Sequence, residues 1–278
     1  MRISLRLPII FLAVALAALA VAAAPPASAP ATQPGSEMTL KLGNGKSMKL
    51  VLIPAGSFMM GSPADEKDRS DSEGPQHRVT ISKPFFMGVT AVTQGQWSAV
   101  MGSRPWEGKF SQNNEENPAS SLAWIEASQF CNKLSARTGK RVRLPTEAQW
   151  EYACRAGTQT RFYYGDDPDA ASLADFAWYD KNTFNVDQAY PHSVGQKKPN
   201  AWGLYDMHGN VNQWCSDWLG PYPARPVIDP TGPATGTMRV LRGGSFVIGA
   251  KLCRAAWRNR NIINRHVIDN GCRVIVVP

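Results

Sequence analysis

The side chains able to do chemistry are few and widely spaced. Five cysteines, Cys131, Cys154, Cys215, Cys253 and Cys272, contain no C-x-x-C pair and so do not suggest a zinc site. Four histidines, His77, His192, His208 and His266, have no histidine one helical turn away, and each reads as a surface or hydrogen-bonding group rather than a metal ligand. Ser245 follows Gly243 and Gly244, a setting that suits a turn hydroxyl better than a nucleophile, and no base stands at a spacing that would pair with it. What remains is recognition. From Phe246 to Asn270 the chain mixes Arg254, Arg258, Arg260 and Arg265 and several asparagines with Phe246, Val247, Ile248, Trp257, Ile262, Ile263, Val267 and Ile268. Apolar groups in such a segment are either its packed underside or an exposed patch that meets a partner, and the packed reading is strongest for Trp257.

The rest of the chain must position these residues. At 278 residues, 43% hydrophobic and 19% charged, with nine Trp and ten Phe, it is globular rather than disordered or fibrous. The net charge of +8 includes Arg2 and Arg6, which belong to a segment expected to be removed, and this weakens a nucleic-acid reading. Twenty-three Gly and 21 Pro favour a loop-rich fold held by turns.

Residues 1–24 carry those two arginines, an apolar run from Ile9 and small residues at Ala20-Val21-Ala22, the pattern of a secretory signal. The run from Ile9 to Ala24 is shorter than the roughly 20 residues that span a bilayer, so no stable membrane insertion is expected once the signal is cleaved. No cysteine precedes Cys131, which argues against a lipoprotein, and the Pro/Ala-rich residues 25–37 read as a linker to a domain at 38–278. Export, to a periplasm or beyond, would allow disulfides.

Alternation at Met38, Leu40 and Leu42 and again at Met48, Leu50 and Leu52, around Gly43-Asn44-Gly45, predicts a hairpin. A further strand is expected at His77–Ile81, after an acidic loop from Asp65 to Glu73 that reads as a solvated excursion. Thr93 with Gln96, and Thr146 with Gln149, are capping boxes that open two helices. Trp124, Ala127, Cys131 and Leu134 mark another over 121–135. No helical pattern exceeds about 16 residues and no repeat is visible, which disfavours bundles and solenoids.

Four motifs then become specific: RLPTEAQWEYACRAG at 143–157, NAWGLYDMHGNVNQWCSDW at 200–218, RVLRGGSF at 239–246 and GCRV at 271–274. Together and in this order they resemble the sulfatase-modifying-factor domain family, whose founding member is the formylglycine-generating enzyme, over roughly residues 48–278. The resemblance implies an α+β fold: a single C-type-lectin-related domain low in regular secondary structure.

In the founding enzyme two cysteines shortly after Gly-Gly-Ser bind copper and oxidise a substrate cysteine. Counting forward from Ser245, those positions are Ile248 and Cys253, and an isoleucine cannot ligate Cu(I), so copper is not expected. Counting backward from Ala255-Ala256 instead sets Cys253 beside a structural cysteine of the family that pairs with the one matched by Cys154. We favour this second registration, with a Cys154–Cys253 bridge, a weaker Cys131–Cys272 pairing and Cys215 left free. The resemblance also implies a Ca²⁺ loop at Asp206, Gly209, Val211 and Gln213, with Gln213 in place of the family's glutamate and Asp206 able to restore the lost charge.

Positions 247–249 and 262–269, polar in common family members, are largely apolar here. The segment is also similar to the variable region of retroelement-diversified target proteins that share this fold. We therefore expect an exported or surface protein or peptide ligand to bind at Phe246, Val247, Ile248, Trp257, Arg258, Ile262, Ile263, His266 and Ile268. Nucleic acid is not an expected partner. The alternative is an enzyme modifying an exported peptide or thiol substrate, with Cys253 catalytic.

Overall fold

The alternating apolar residues near the start of the domain form β1 (Glu37–Gly43) and β2 (Lys46–Ile53), antiparallel strands that bury Leu40, Leu42, Met48, Leu50 and Leu52. Asn44 and Gly45 turn between them with positive φ of 50° and 71°, which glycine and asparagine adopt at least cost. The computed structural model describes Met1 and residues 36–108 and 110–277. The expected signal segment and most of the linker lie outside the described residues.

Among the described residues twelve strands form three sheets. The first orders β1, β2, β5 (Phe85–Gly88), β12 (Ile275–Val277) and β6 (Arg141–Arg143), so residues 275–277 are inserted in the first sheet between β5 and β6. The second orders β10 (Asn259–Asn261), β9 (Arg239–Arg242), β7 (Asn212–Trp218) and β11 (Asn270–Cys272), with β11 parallel to β7. The third joins β3 (Gly56–Met60), β4 (His77–Ile81) and β8 (Val227–Ile228). With three α-helices among the described residues, this is the expected α+β domain of low regular content.

Both expected capping boxes form. Thr93 opens α1 (Gln94–Met101) and Thr146 opens α3 (Glu147–Arg155), each accepting from the N–H three residues on. The middle helix, α2 (Trp124–Thr138), starts three residues later than the apolar spacing suggests, because Glu126 accepts from the Ala123 N–H and fixes the first turn there. One core lies between α1, α2 and the first sheet, where Trp97 stacks on Phe130 with ring centroids 5.2 Å apart. A second surrounds Trp150, Ala153 and Cys154 of α3, and a third, smaller one surrounds Cys253.

The acidic loop at 65–73 is solvated at Asp65, Lys67, Asp68 and Asp71 but not at its end. Glu73 is fully buried, and it accepts 2.8 and 2.6 Å hydrogen bonds from Arg254, which also meets Glu66. Sequence composition shows the charge of this loop but not a partner 181 residues away.

Candidate functional site

The Gly243-Gly244-Ser245 turn folds back against the segment that follows it. A Cβ on Gly244, which has φ +78°, would lie 2.7 Å from Cys253 Sγ and 2.8 Å from the Leu252 carbonyl, so only glycine permits the approach. Cys253 is consequently enclosed among Phe162, Leu173, Ala177 and Tyr179, and Ile248 packs on the same cluster. Burial pushes the Cys253 thiol up to about 12, and a protonated, enclosed thiol is a poor nucleophile and a poor soft-metal ligand. The two positions that the forward count would assign to copper are thus taken up by an apolar cluster, Cys253 within it and half-buried Ile248 packed against it.

All five cysteines are buried and unbridged, which corrects the expected disulfides. Cys154 belongs to the core beneath α3 and Cys253 to the separate cluster just described. Cys131 and Cys272 share the first core as free thiols, and burial raises both. Cys215 is free like the other four, so it is not singled out as the leftover thiol.

Ser245 is buried too. Its hydroxyl donates to Asp269 Oδ2 at 2.6 Å, and Asn212 Nδ2 donates to the same oxygen at 2.9 Å. This cluster ties the end of β9 to the strand pair β7–β11, and burial raises the Asp269 carboxyl.

The side chains expected to hold calcium are engaged by protein donors, and one of these, on Gln213, is a guanidinium. Asp206 Oδ2 accepts from the Gly195 N–H at 2.8 Å and Oδ1 from Asn210. Gln213 Oε1 accepts from Trp150 Nε1 and from Arg273 Nε, both at 2.9 Å. Gly209, at φ +73°, would place a Cβ 2.2 Å from the Trp178 carbonyl, and Val211 is buried against Gly271. The buried Arg273 guanidinium reaches Gln213, the Gly88 carbonyl and the Tyr205 carbonyl, and burial lowers it to about 10. Every side-chain oxygen of the set therefore faces an N–H donor, and the arrangement does not fit Ca²⁺. Among the described residues no group of three or more His, Cys, Asp or Glu is placed to hold a metal.

The expected recognition segment divides. Phe246 is fully buried, and Arg258 is buried with Nε and Nη2 on the two oxygens of Glu147 at 2.7 and 2.8 Å, so neither is a surface contact. Val247, Ile248 and Trp257 are half-buried. Ile262, Ile268 and His266 are exposed, with Ile263 half-buried beside them. This stretch crosses the start of α2: the Ile125 N–H donates to the Ile263 carbonyl at 3.2 Å, and His266 Nδ1 lies 2.7 Å from the Ser121 carbonyl.

The sequence reading missed what α2 adds to that surface. Ile125 is exposed, and the Arg239 guanidinium lies over the rings of half-buried Trp124, at 4.1 Å, and of Trp218, at 3.6 Å. A signal was present: Ile125 falls off the stripe Ala127, Cys131 and Leu134 that faces the core.

Fold and turn chemistry together define a formylglycine-generating-enzyme-like domain of the C-type-lectin-related kind. The Sulfatase-modifying factor enzyme 1-like domain matches residues 39–277, and the chain belongs to that family. It is 31% identical to the formylglycine-generating enzyme of Streptomyces coelicolor, over 83% of this chain and 88% of that one. Its structure is similar to that of PvdO from Pseudomonas aeruginosa, with a TM-score of 0.77, 29% identity and coverage of 89% and 100%. It is also similar to Treponema denticola variable protein 1, with a TM-score of 0.76, 29% identity and coverage of 87% and 99%. Among the described residues no helix is long and apolar enough to cross a membrane.

Proposed function

We propose that this chain is an exported binding member of the family that presents a protein or peptide ligand with the surface formed by residues 262–268 and the start of α2. The observation that carries the reading is the placement of Ile125, Ile262, His266 and Ile268 outside, on a stretch that crosses the start of α2 at Ile263 and His266, while Cys253 lies in a core with half-buried Ile248 packed against it. Isoleucines half covered in the free protein contribute about 1 kcal/mol each when a partner covers the rest. The likeness to a protein named as variable supports a segment open to diversification, which a template repeat beside the gene would establish. The reading does without calcium and copper: millimolar Ca²⁺ added after chelation should leave the melting temperature unchanged.

The 31% identity to a formylglycine-generating enzyme favours a second reading, modification of an exported peptide or thiol substrate. One experiment separates the two. The purified chain, given copper, oxygen and a cysteine-containing sulfatase-type peptide, should leave the peptide mass unchanged. Its binding to a peptide panel should weaken in the paired Ile262→Asn, Ile263→Asn variant and persist in Cys253→Ser. Turnover that Cys253→Ser abolishes in a folded protein would reverse the ranking.

A further inference from the structure

Away from that surface, a cavity of about 170 Å³ opens where β6, the start of α3 and the end of β12 meet. Ile81, Phe85, Pro230 and Val277 wall one part of it, and Arg143 and Lys83 supply its cationic groups. Arg143 is half-buried, yet among the described residues only one of its nitrogens has a hydrogen-bond partner: Nη1 donates to the Leu144 carbonyl at 2.9 Å. Among the described residues no carboxylate forms an ion pair with it, in contrast with Arg155, Arg242, Arg254 and Arg258, each of which meets a glutamate. Asp229 also lines the cavity, but it is engaged by Ser82, whose N–H donates to Oδ1 at 2.9 Å and whose hydroxyl donates to Oδ2.

An unpaired, partly desolvated guanidinium is a planar fork suited to two oxygens of one anion. Burial and then the neighbouring Arg141 disfavour the charge of Arg143, Asp217 supports it from beyond ion-pair distance without offsetting them, and a bound anion would relieve the remainder. The apolar wall selects among anions. A fully hydrated phosphate gains nothing from Ile81, Phe85 and Val277, whereas an apolar group bearing one carboxylate satisfies both halves, and the volume limits it to a small one.

We propose that this cavity binds a carboxylate carried on a small apolar group, with Arg143 receiving the carboxylate and Lys83 adding charge from the rim. The site is separate from the proposed recognition surface and does not depend on it. Calorimetry with benzoate tests a free acid, and acetyl-leucine tests the end of a peptide chain; whichever saturates the protein identifies the source. Affinity in the millimolar range is expected, with Arg143→Gln weakening it about tenfold or more and the exposed Lys83→Gln weakening it by a smaller factor. Benzamide, acetyl-leucine amide and inorganic phosphate should not saturate. Thermal melts establish that Arg143→Gln is folded, and Lys83→Gln, on an exposed side chain, gives a second reading should it not be. Absence of saturable binding by both acids, equal binding of the amides, or affinity indifferent to both substitutions would overturn the proposal.

Discussion

Residues 250–258 and 262–268 are made of similar side chains, arginine and large apolar groups, yet the first stretch is largely built into the interior and the second is largely outside. The difference comes from what each meets. Arg254 and Arg258 are received by Glu73, Glu66 and Glu147, and Arg242 beneath them by Glu151, so their charges enter the protein already paired. Arg265 has no such carboxylate, and the isoleucines around it rest on the start of α2 rather than beneath a covering layer. Arginine in an apolar segment therefore says nothing about exposure until the glutamates are located, and these come from the β3–β4 connection and from α3. Buried ion pairs of this kind do not guarantee stability, but removing one partner leaves an uncompensated charge.

The largest expected effect tests that asymmetry directly. Arg254→Met should destabilise the fold by about 3–5 kcal/mol, because Glu73 and Glu66 then remain inside without a counter-charge. Arg265→Met should stay within about 0.5 kcal/mol. Urea denaturation of the two variants measures both, and equal losses would erase the distinction between the stretches.

The buried half should also be sensitive to pH, through two groups that oppose each other. Asp217, whose Oδ2 accepts from the Glu147 N–H, is raised from 3.8 to about 7 by burial and then by the Glu147 charge. Its folded form holds the proton more tightly, so its contribution is present below about pH 4 and is lost as pH rises through 7. His208 stacks on Tyr163 with its Nε2 accepting from the Tyr163 N–H, and burial lowers it from 6.5 to about 3. Its contribution is present above 6.5 and is lost as pH falls toward 3. Between about pH 4 and 6.5 the two slopes offset, each being at most about 1.4 kcal/mol per pH unit. Asp217→Asn should therefore expose a stability that climbs with pH across this window, and His208→Gln one that declines. Parallel profiles for the two variants would show that neither group titrates as the structure places it.

Cys253 lies at the junction of the comparison, and a smaller effect is expected there. Cys253→Ser should cost about 1–3 kcal/mol, the penalty for a hydroxyl in an apolar enclosure, and Cys253→Ala should cost less. Denaturation without reductant should reveal five labelled thiols, and none should react quickly in the folded state. A Cys154–Cys253 linked peptide would restore the bridge that the family resemblance implied.

Local chemistry was the legible part of this chain. The Thr93–Gln96 and Thr146–Gln149 boxes, the hairpin turn at Asn44-Gly45 and the family motifs lead directly to α1, α3, β1–β2 and the fold, because each depends on residues a few positions apart. The buried ion pairs were illegible for the converse reason: Arg258 and Glu147 are 111 residues apart and neither position has a local signature. The Arg273 donor to Gln213 was illegible on the same ground, since it stands 60 residues further along the chain. Ile125 was legible in principle, by its departure from the core stripe of α2, although nothing local ties it to Ile263.

The exposed stretch should give the smallest effect on folding. Ile262→Asn removes an apolar side chain that is 45% exposed, so little buried area is lost and the stability change should lie within about 0.5 kcal/mol. Ile125→Asn, at 38% exposure on the solvent side of α2, should behave similarly. If these side chains anchor a partner, each change should weaken binding by an amount on the order of 1–4 kcal/mol, so affinity and stability separate. Binding and melting measured on the same preparations test that separation. A loss of stability comparable to Arg254→Met would mean that residues 262–268 are a covering layer of the core, and the contrast between the two stretches would collapse into one continuous interior.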